Sequence, residues 1–283
     1  MRVLTRTFQG IRFLPPAVLL MVLLTVLLVL WGYAPYAFRD ALAAEEPQSA
    51  GQAQQIDQAQ RLPTSMIPVD KLDQDWWKLR FEEEKARIAA GNVDLLLLGD
   101  SITHYWDTTG RAVEEYYYGD RNFVNLGIGS DRTQHLLWRL NNLPMENIHP
   151  KAAMLLIGVN NSRENSPEDV ARAIQVAVDK LVSLYPDMPI LLLKIFPAGE
   201  KPDHPTRVAV AAINALLPDI FKDYPNVTLM DIGYLWVDEN GVIPKDLMPD
   251  FGHPNEEGYK RWGAEVEPVL SRMLGDTPKE KMP

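Results

Sequence analysis

The sequence predicts a three-layer α/β/α sandwich built on a parallel sheet of about five strands. Three observations carry this. Short, nearly continuous apolar runs recur at Val93–Leu98, Asn122–Leu126, Ala152–Ile157, Ile190–Phe196 and Val227–Met230. Runs of this kind, without polar alternation, suit strands covered on both faces. Segments with helical spacing separate them, and alternation of strand and helix is the pattern of a parallel sheet joined by crossovers.

Taken in order, the chain opens outside that pattern. Arg2, Arg6 and Arg12 precede an uncharged run from Phe13 to Phe38. A bilayer needs roughly 20 apolar residues, so this run is long enough to span one. The flanking arginines favour a cytoplasmic amino terminus. Ala41-Leu42-Ala43 also fits a signal-peptide cleavage pattern. Residues 1–43 therefore read as a membrane anchor, or alternatively as a removed signal, and either places the remainder outside the cytoplasm. Residues 44–69 are Ala-, Gln- and Pro-rich and read as a disordered linker. A single domain over 70–274 and a short tail over 275–283 complete the chain.

Within the domain, Trp76, Trp77, Leu79, Phe81 and Ile88 recur at helical spacing between Asp70 and Gly91. Gly91-Asn92 is a usual helix stop. Leu95 to Leu98 then runs into Gly99-Asp100-Ser101. Thr133 to Leu143 is amphipathic. Ser166 followed by Pro167 and Asp169 is a strong helix start. Thr206–Tyr224 and Glu256–Leu274 read as helices crossed by Pro218 and Pro268.

Composition removes several classes of function. The 283 residues include no cysteine, which excludes disulfides, thiolate metal sites and a cysteine nucleophile. The formal charge is −10, and without residues 1–43, which hold four arginines and one aspartate, it is −13. That balance argues against a nucleic-acid partner. No metal-ligand spacing, P-loop or dinucleotide fingerprint is present, so neither metal nor cofactor is expected.

The strand exits carry the chemistry. Gly99-Asp100-Ser101, Gly129-Ser130-Asp131, Gly158-Val159-Asn160-Asn161 and the loop after Met230 all fall at carboxyl ends of strands. In a parallel sheet these ends share one edge, where ligands bind. A serine there, facing free backbone amides, suits a nucleophile whose attack creates an oxyanion. The base must come from elsewhere. Of five histidines, only His253 has a carboxylate at close spacing in a Gly/Pro-rich loop, Asp250-Phe251-Gly252-His253-Pro254. Asp250 can fix the imidazole tautomer, leaving the other ring nitrogen to take the Ser101 proton. Asp131 reads as a brace for its turn. Tyr116-Tyr117-Tyr118 read as packing, and His104 and Trp106 as pocket candidates.

These blocks together resemble the SGNH (GDSL-type) hydrolase family, in particular the branch of platelet-activating-factor acetylhydrolase catalytic subunits. The resemblance runs from Trp76 to Leu274. It rests on Gly99-Asp-Ser101, on Asn125-Leu-Gly-Ile-Gly-Ser-Asp131 with Arg132-Thr-Gln-His135-Leu-Leu-Trp138-Arg139-Leu140, on Gly158-Val-Asn160-Asn161, and on Asp250-Phe-Gly-His253. Pro197 to Pro202 resembles a loop of the same branch. The resemblance implies a flavodoxin-like sheet, Ser101 as nucleophile, His253 as base and acid, and Asp250 as orienting carboxylate. It implies an oxyanion hole from the Ser101 N–H, the Asn160 amide and a backbone N–H at position 130. There the chain departs from the family, which has glycine where Ser130 stands; a left-handed backbone at that point would cost serine about 1 kcal/mol or more.

The function so implied is an extracytoplasmic serine esterase of short, acetyl-type esters. A sugar O-acyltransferase and a catalytically weak binding module are the alternatives. A small-molecule or glycan ester is the expected substrate, the N-terminal segment the membrane contact, and a homodimer is allowed by the branch. Since the histidine must be neutral to act as base, activity should fall below about pH 6 to 7, near the ordinary histidine value.

Overall fold

The five apolar runs pair in the order β2-β1-β3-β4-β5, every pair parallel. The strands are β1 Leu95–Gly99, β2 Phe123–Gly127, β3 Ala152–Leu156, β4 Ile190–Leu193 and β5 Val227–Met230. Among the described residues seven helices accompany them: α1 Asp75–Ala89, α2 Ser101–His104, α3 Arg111–Tyr118, α4 Thr133–Asn142, α5 Pro167–Leu184, α6 Pro205–Phe221 and α7 Glu256–Leu274. The structure is a computed structural model and describes residues 62–283, which form one self-contained unit. The expected anchor or signal and most of the expected linker lie outside the described residues. Among the described residues no helix is long and apolar enough to cross a membrane.

Strand side chains alternate between two cores. Leu96, Leu98, Leu126, Ala153, Leu155 and Leu192 meet α1, α4, α5 and α6 on one face. Leu95, Leu97, Met154, Leu156, Leu191 and Leu193 meet α2, α3 and α7 on the other. This is the expected three-layer sandwich. Its order reverses between β1 and β3, and the crevice outside the carboxyl ends at such a point is where doubly wound sheets hold ligands. Ser101 follows β1 and Asn160 follows β3.

Two glycines permit the tight entry to α2. A Cβ at Gly99 would stand 2.1 Å from Thr103 Oγ1 and 2.4 Å from the Leu156 carbonyl. A Cβ at Gly127 would stand 2.3 Å from His104 N, so α2 can lie directly against β2. Close approach, rather than an unusual backbone angle, is what requires glycine at these positions.

A fully buried ion cluster ties the strand ends together. The Arg139 guanidinium on α4 donates to the Gly99 carbonyl at 3.1 Å, the Leu126 carbonyl at 2.9 Å, Asp131 Oδ2 at 2.9 Å and Glu84 Oε2 at 3.1 Å. Burial pushes the Glu84 carboxyl up to about 7, against the opposing pull of Arg139. Burial likewise pushes Asp100 up to about 7, against its hydrogen bond from Ile102 N and the nearby His253. The ordinary carboxyl value is about 4, so over the interval from about 4 to 7 these two carboxyls bind more protons in the folded chain than in the unfolded one. Their contribution to stability is therefore greatest at the acid end of that window, falls as pH rises and levels off above it, while burial of the His135 ring, held down at about 3, contributes with the opposite sign. Melting temperatures between pH 5 and 8 test this. Glu84→Gln should flatten the slope, and an unchanged slope would remove Glu84 as its source.

The structure departs from the sequence reading in one place and adds to it in two. The linker ends earlier than residue 69: Thr64–Met66 form a 3-10 turn with Ser65 and Met66 buried. Thr133 Oγ1 donates to the Ser65 carbonyl at 2.7 Å, and Ser65 Oγ donates to the Asp169 carbonyl at 3.2 Å. Polar bonds, with Met66 as the one buried apolar side chain, fasten this arm. Secondly, α3 was not anticipated; Tyr117 and Tyr118 are fully buried in it. Thirdly, residues 275–283 are strapped to the body. Arg121 bonds Glu267 at 2.8 Å and Asp276 at 2.9 Å, and Met282 N donates to the Tyr117 hydroxyl at 3.0 Å.

Candidate active site

At the β1 exit, Asp100 caps α2 by accepting from Ile102 N at 3.0 Å, which sets Ser101 at the first helical position. The Ser101 Oγ lies 2.7 Å from His253 Nε2. The opposite ring nitrogen, Nδ1, lies 2.6 Å from Asp250 Oδ2. Asp250 Oδ1 accepts from the backbone N–H groups of His253 at 2.8 Å and Gly252 at 3.0 Å. A single turn thus builds both histidine and carboxylate, and Phe251 within it adopts a left-handed φ of 59°. Partial burial acts to raise the Asp250 carboxyl, but the bonds from the His253 ring and the two N–H groups outweigh it. The group is held below its ordinary value. With Asp250 charged, Nδ1 carries the ring proton and Nε2 is free to accept from Ser101. The Tyr105 ring packs 5.1 Å from the His253 ring and limits its movement.

The second and third exits close round the serine. The Asn160 Nδ2 donates to the Asp131 carbonyl at 2.8 Å, which fixes the side chain and leaves a second amide hydrogen. Among the described residues the N–H groups of Ser101 and Ser130 have no hydrogen-bond acceptor. Asp131 is fully buried and accepts from Trp77 Nε1 at 2.7 Å and from Arg139, so it braces the turn as its position suggested. Lys71 adds a clamp from the N-terminal arm, donating to the Ser130 carbonyl at 2.8 Å.

Ser130 takes a φ of 58°, the left-handed conformation in which glycine is at ease and serine is strained. A Ser130→Gly variant relieves strain of about 1 kcal/mol and gives back a similar amount in backbone entropy. Its melting temperature should stay within about 2 °C of the parent. Its activity should be retained if the backbone N–H, which has no acceptor, rather than the hydroxyl serves the reaction. A loss beyond tenfold at unchanged stability would give the hydroxyl a role.

Ser101, Ser130, Asn160, Asp250 and His253 all line one cavity of about 690 Å³. Its far wall comes from residues 198–206, which the sequence marked only by the Pro197–Pro202 resemblance. Arg207 holds that wall by donating to the carbonyls of Gly199 and Gly241, while Gly199 N donates to Phe251 O at 2.8 Å and so ties it to the histidine turn. Arg132 and Arg163 also border the cavity, and Arg132 pairs with Glu164. The loop after Met230 does not reach it. His104 lies outside the lining, its Nδ1 accepting from Gly129 N, and Trp106 is wholly buried in the core. His135 Nδ1 accepts from Arg132 N and caps α4. Among the described residues no cluster could hold a metal ion.

The profile of the GDSL-like Lipase/Acylhydrolase family matches residues 97–261. Platelet-activating factor acetylhydrolase IB subunit alpha2 of Rattus norvegicus is 35% identical over 188 residues, 66% of this chain and 80% of that protein. The Homo sapiens alpha2 subunit is 34% identical over the same shares. Among solved structures, a GDSL-like lipase from Bacteroides thetaiotaomicron superposes with a TM-score of 0.56 at 16% identity, covering 69% of this chain and 97% of that one. A catalytic mutant of an acetylxylan esterase from Geobacillus stearothermophilus does so with 0.51 at 16% identity, covering 66% and 96%. Those two likenesses concern the fold; the sequence matches go further. The chain belongs to the GDSL-like lipase/acylhydrolase family and is an ester-hydrolysing serine hydrolase.

Proposed function

We propose that Ser101 attacks the ester carbonyl while His253 Nε2 takes its proton, with Asp250 holding the imidazole and stabilising its charged form. The carbonyl oxygen becomes an oxyanion that the N–H groups of Ser101 and Ser130 and the Asn160 amide receive. The alcohol leaves with the proton from His253. Water, deprotonated by the same nitrogen, then attacks the acyl carbonyl, and Ser101 Oγ leaves with that proton from His253 as the acid is released. The observation that carries this reading is the unbroken chain Ser101–His253–Asp250 at 2.7 and 2.6 Å.

The reading extends to short acyl groups, acetyl first. Each buried CH₂ of a longer chain would gain about 0.8 kcal/mol only if apolar surface received it. The cavity offers little: Ile102, Val159, Ala198 and Phe251 are set among two arginines, acidic groups, Asn160 and His204. The same polarity suits a hydroxyl-rich alcohol such as a glycan. The uncharged run at residues 13–38 supports action outside the cytoplasm, at a membrane.

The test is hydrolysis of p-nitrophenyl acetate, butyrate and octanoate by the parent and by Ser101→Ala. Acetate should be cleaved fastest, and no ester by the variant. Equal rates in both proteins would sink Ser101 as nucleophile. A preference for octanoate would sink the short-acyl reading and leave the nucleophile standing.

A further inference from the structure

Large apolar side chains left in solvent are concentrated at one place. Of nine such residues in 62–283, six fall within residues 62–79: Leu62, Ile67, Val69, Leu72, Trp76 and Leu79. The segment is not loose. The arm is bonded to α4 and α5 through Ser65, Val69 N donates to the Gln134 carbonyl at 3.3 Å, and α1 buries Trp77, Phe81 and Ile88. The outward side of the same arm and of the start of α1 therefore presents six large apolar side chains, interspersed with exposed Asp73, Gln74, Asp75 and Lys78, on a well-bonded backbone. Patches of this sort mark interaction surfaces.

The chain leading into it indicates the occupant. Residues 44–61 contain one large apolar residue, Ile56, and so have almost nothing with which to cover the face. Before them stands the uncharged run ending at Phe38. The 23 residues between Phe38 and Leu62 span at most about 80 Å when fully extended. If that run sits in a bilayer, the apolar face is kept near a lipid surface, where even weak affinity is effective. A tryptophan flanked by aliphatic residues is the usual composition of an interfacial contact. The face also carries Asp70, Asp73 and Asp75 beside Lys71 and Lys78, so its charge gives no attraction to anionic lipid.

We infer that the Leu62–Leu79 face of the folded domain is a membrane-interfacial surface that rests on a lipid bilayer through Ile67, Leu72, Trp76 and Leu79. Lys71 lies within that face and holds the Ser130 carbonyl, so the turn bordering the cavity is carried next to the lipid.

The experiment uses residues 62–283, the self-contained unit, with phosphatidylcholine vesicles at millimolar lipid. Cosedimentation and a Trp fluorescence shift should show partitioning, with no gain from added phosphatidylglycerol. The variant Ile67→Ser/Leu72→Ser/Trp76→Ser/Leu79→Ser should lose at least tenfold in partitioning at an unchanged melting temperature. The conservative variant Ile67→Val/Trp76→Phe should keep most of it. The inference is overturned if the parent stays in solution at millimolar lipid, or if the serine variant partitions equally. It is also overturned if sedimentation velocity shows a dimer that the serine variant abolishes and vesicles do not compete for, which would give the face to a second copy. None of these readouts depends on catalysis.

Discussion

Alanine at Ser101 or at His253 should lower kcat for p-nitrophenyl acetate by about 10⁴ to 10⁶, and alanine at both should cost no more than either alone. In the proposed mechanism the two side chains act as one device: the hydroxyl gains nucleophilicity only because a nitrogen 2.7 Å away can take its proton. Once one half is gone the other has nothing to act on, so the losses cannot add. Asp250→Asn should fall by about 10³ to 10⁴. It keeps the shape of the turn but offers an amide where the ring N–H needs an acceptor, which favours the wrong tautomer. Rates for the single and double variants, with active-site titration to count competent protein, decide the matter. Additive losses, or an Asp250→Asn enzyme close to the parent, would break the triad reading.

Arg139→Met should be the most damaging substitution for stability. The guanidinium is fully buried and meets two carboxylates and two strand-end carbonyls. Burial acts against its charge, and Glu84 and Asp131 outweigh that effect. Removing one partner of a buried ion cluster leaves the others uncompensated, a cost of about 3–5 kcal/mol. For a domain of this size that is a fall on the order of 10 °C in melting temperature. Arg139→Lys should recover only part of it, because a single ammonium cannot reach four acceptors spread round a planar fork. Urea denaturation measures both. A methionine variant within about 1 kcal/mol of the parent would show that the cluster contributes little. The surviving protein should also lose activity, since Arg139 holds the carbonyl of Gly99, two residues before Ser101, and the Asp131 that Asn160 leans on.

Much of this was legible in the sequence, and the physical reasons differ from place to place. Strands covered on both faces leave continuous apolar runs, so β1 to β4 were visible, with ends misplaced by a few residues; the edge strand β5, with Thr228 exposed, showed only as a short run before Asp231. Ser101 was visible because a polar residue closes such a run at Gly99. Asp250 and His253 were visible because carboxylate and imidazole share one short loop. Arg139 was not, since a buried arginine on an amphipathic helix reads like a solvent-facing one until its carbonyl partners are known. The arm at 64–66 was missed because it is fastened by hydroxyl and backbone bonds, which leave no hydrophobic pattern. Helix α3 was missed because three adjacent tyrosines show no helical period, although Gly110 and Gly119 bracket it. The cavity wall at 198–206 depends on Arg207 reaching back to Gly199 and forward to Gly241, a tertiary fact with no local signal.

The turn that carries both Asp250 and His253 has a mechanical consequence. In many catalytic triads acid, base and nucleophile stand on three separate supports, and three gaps must all be kept. Here acid and base are one rigid piece, knotted by four hydrogen-bonding groups within four residues. On the proposed mechanism the active centre is thus a two-body machine whose engagement is the gap between Ser101 Oγ and His253 Nε2. The Gly199–Phe251 bond to the cavity wall and the Tyr105 ring are the contacts that brace the turn on the His253 side of that gap. Slackening either support would idle the enzyme as a clutch does, with both halves intact and merely disengaged.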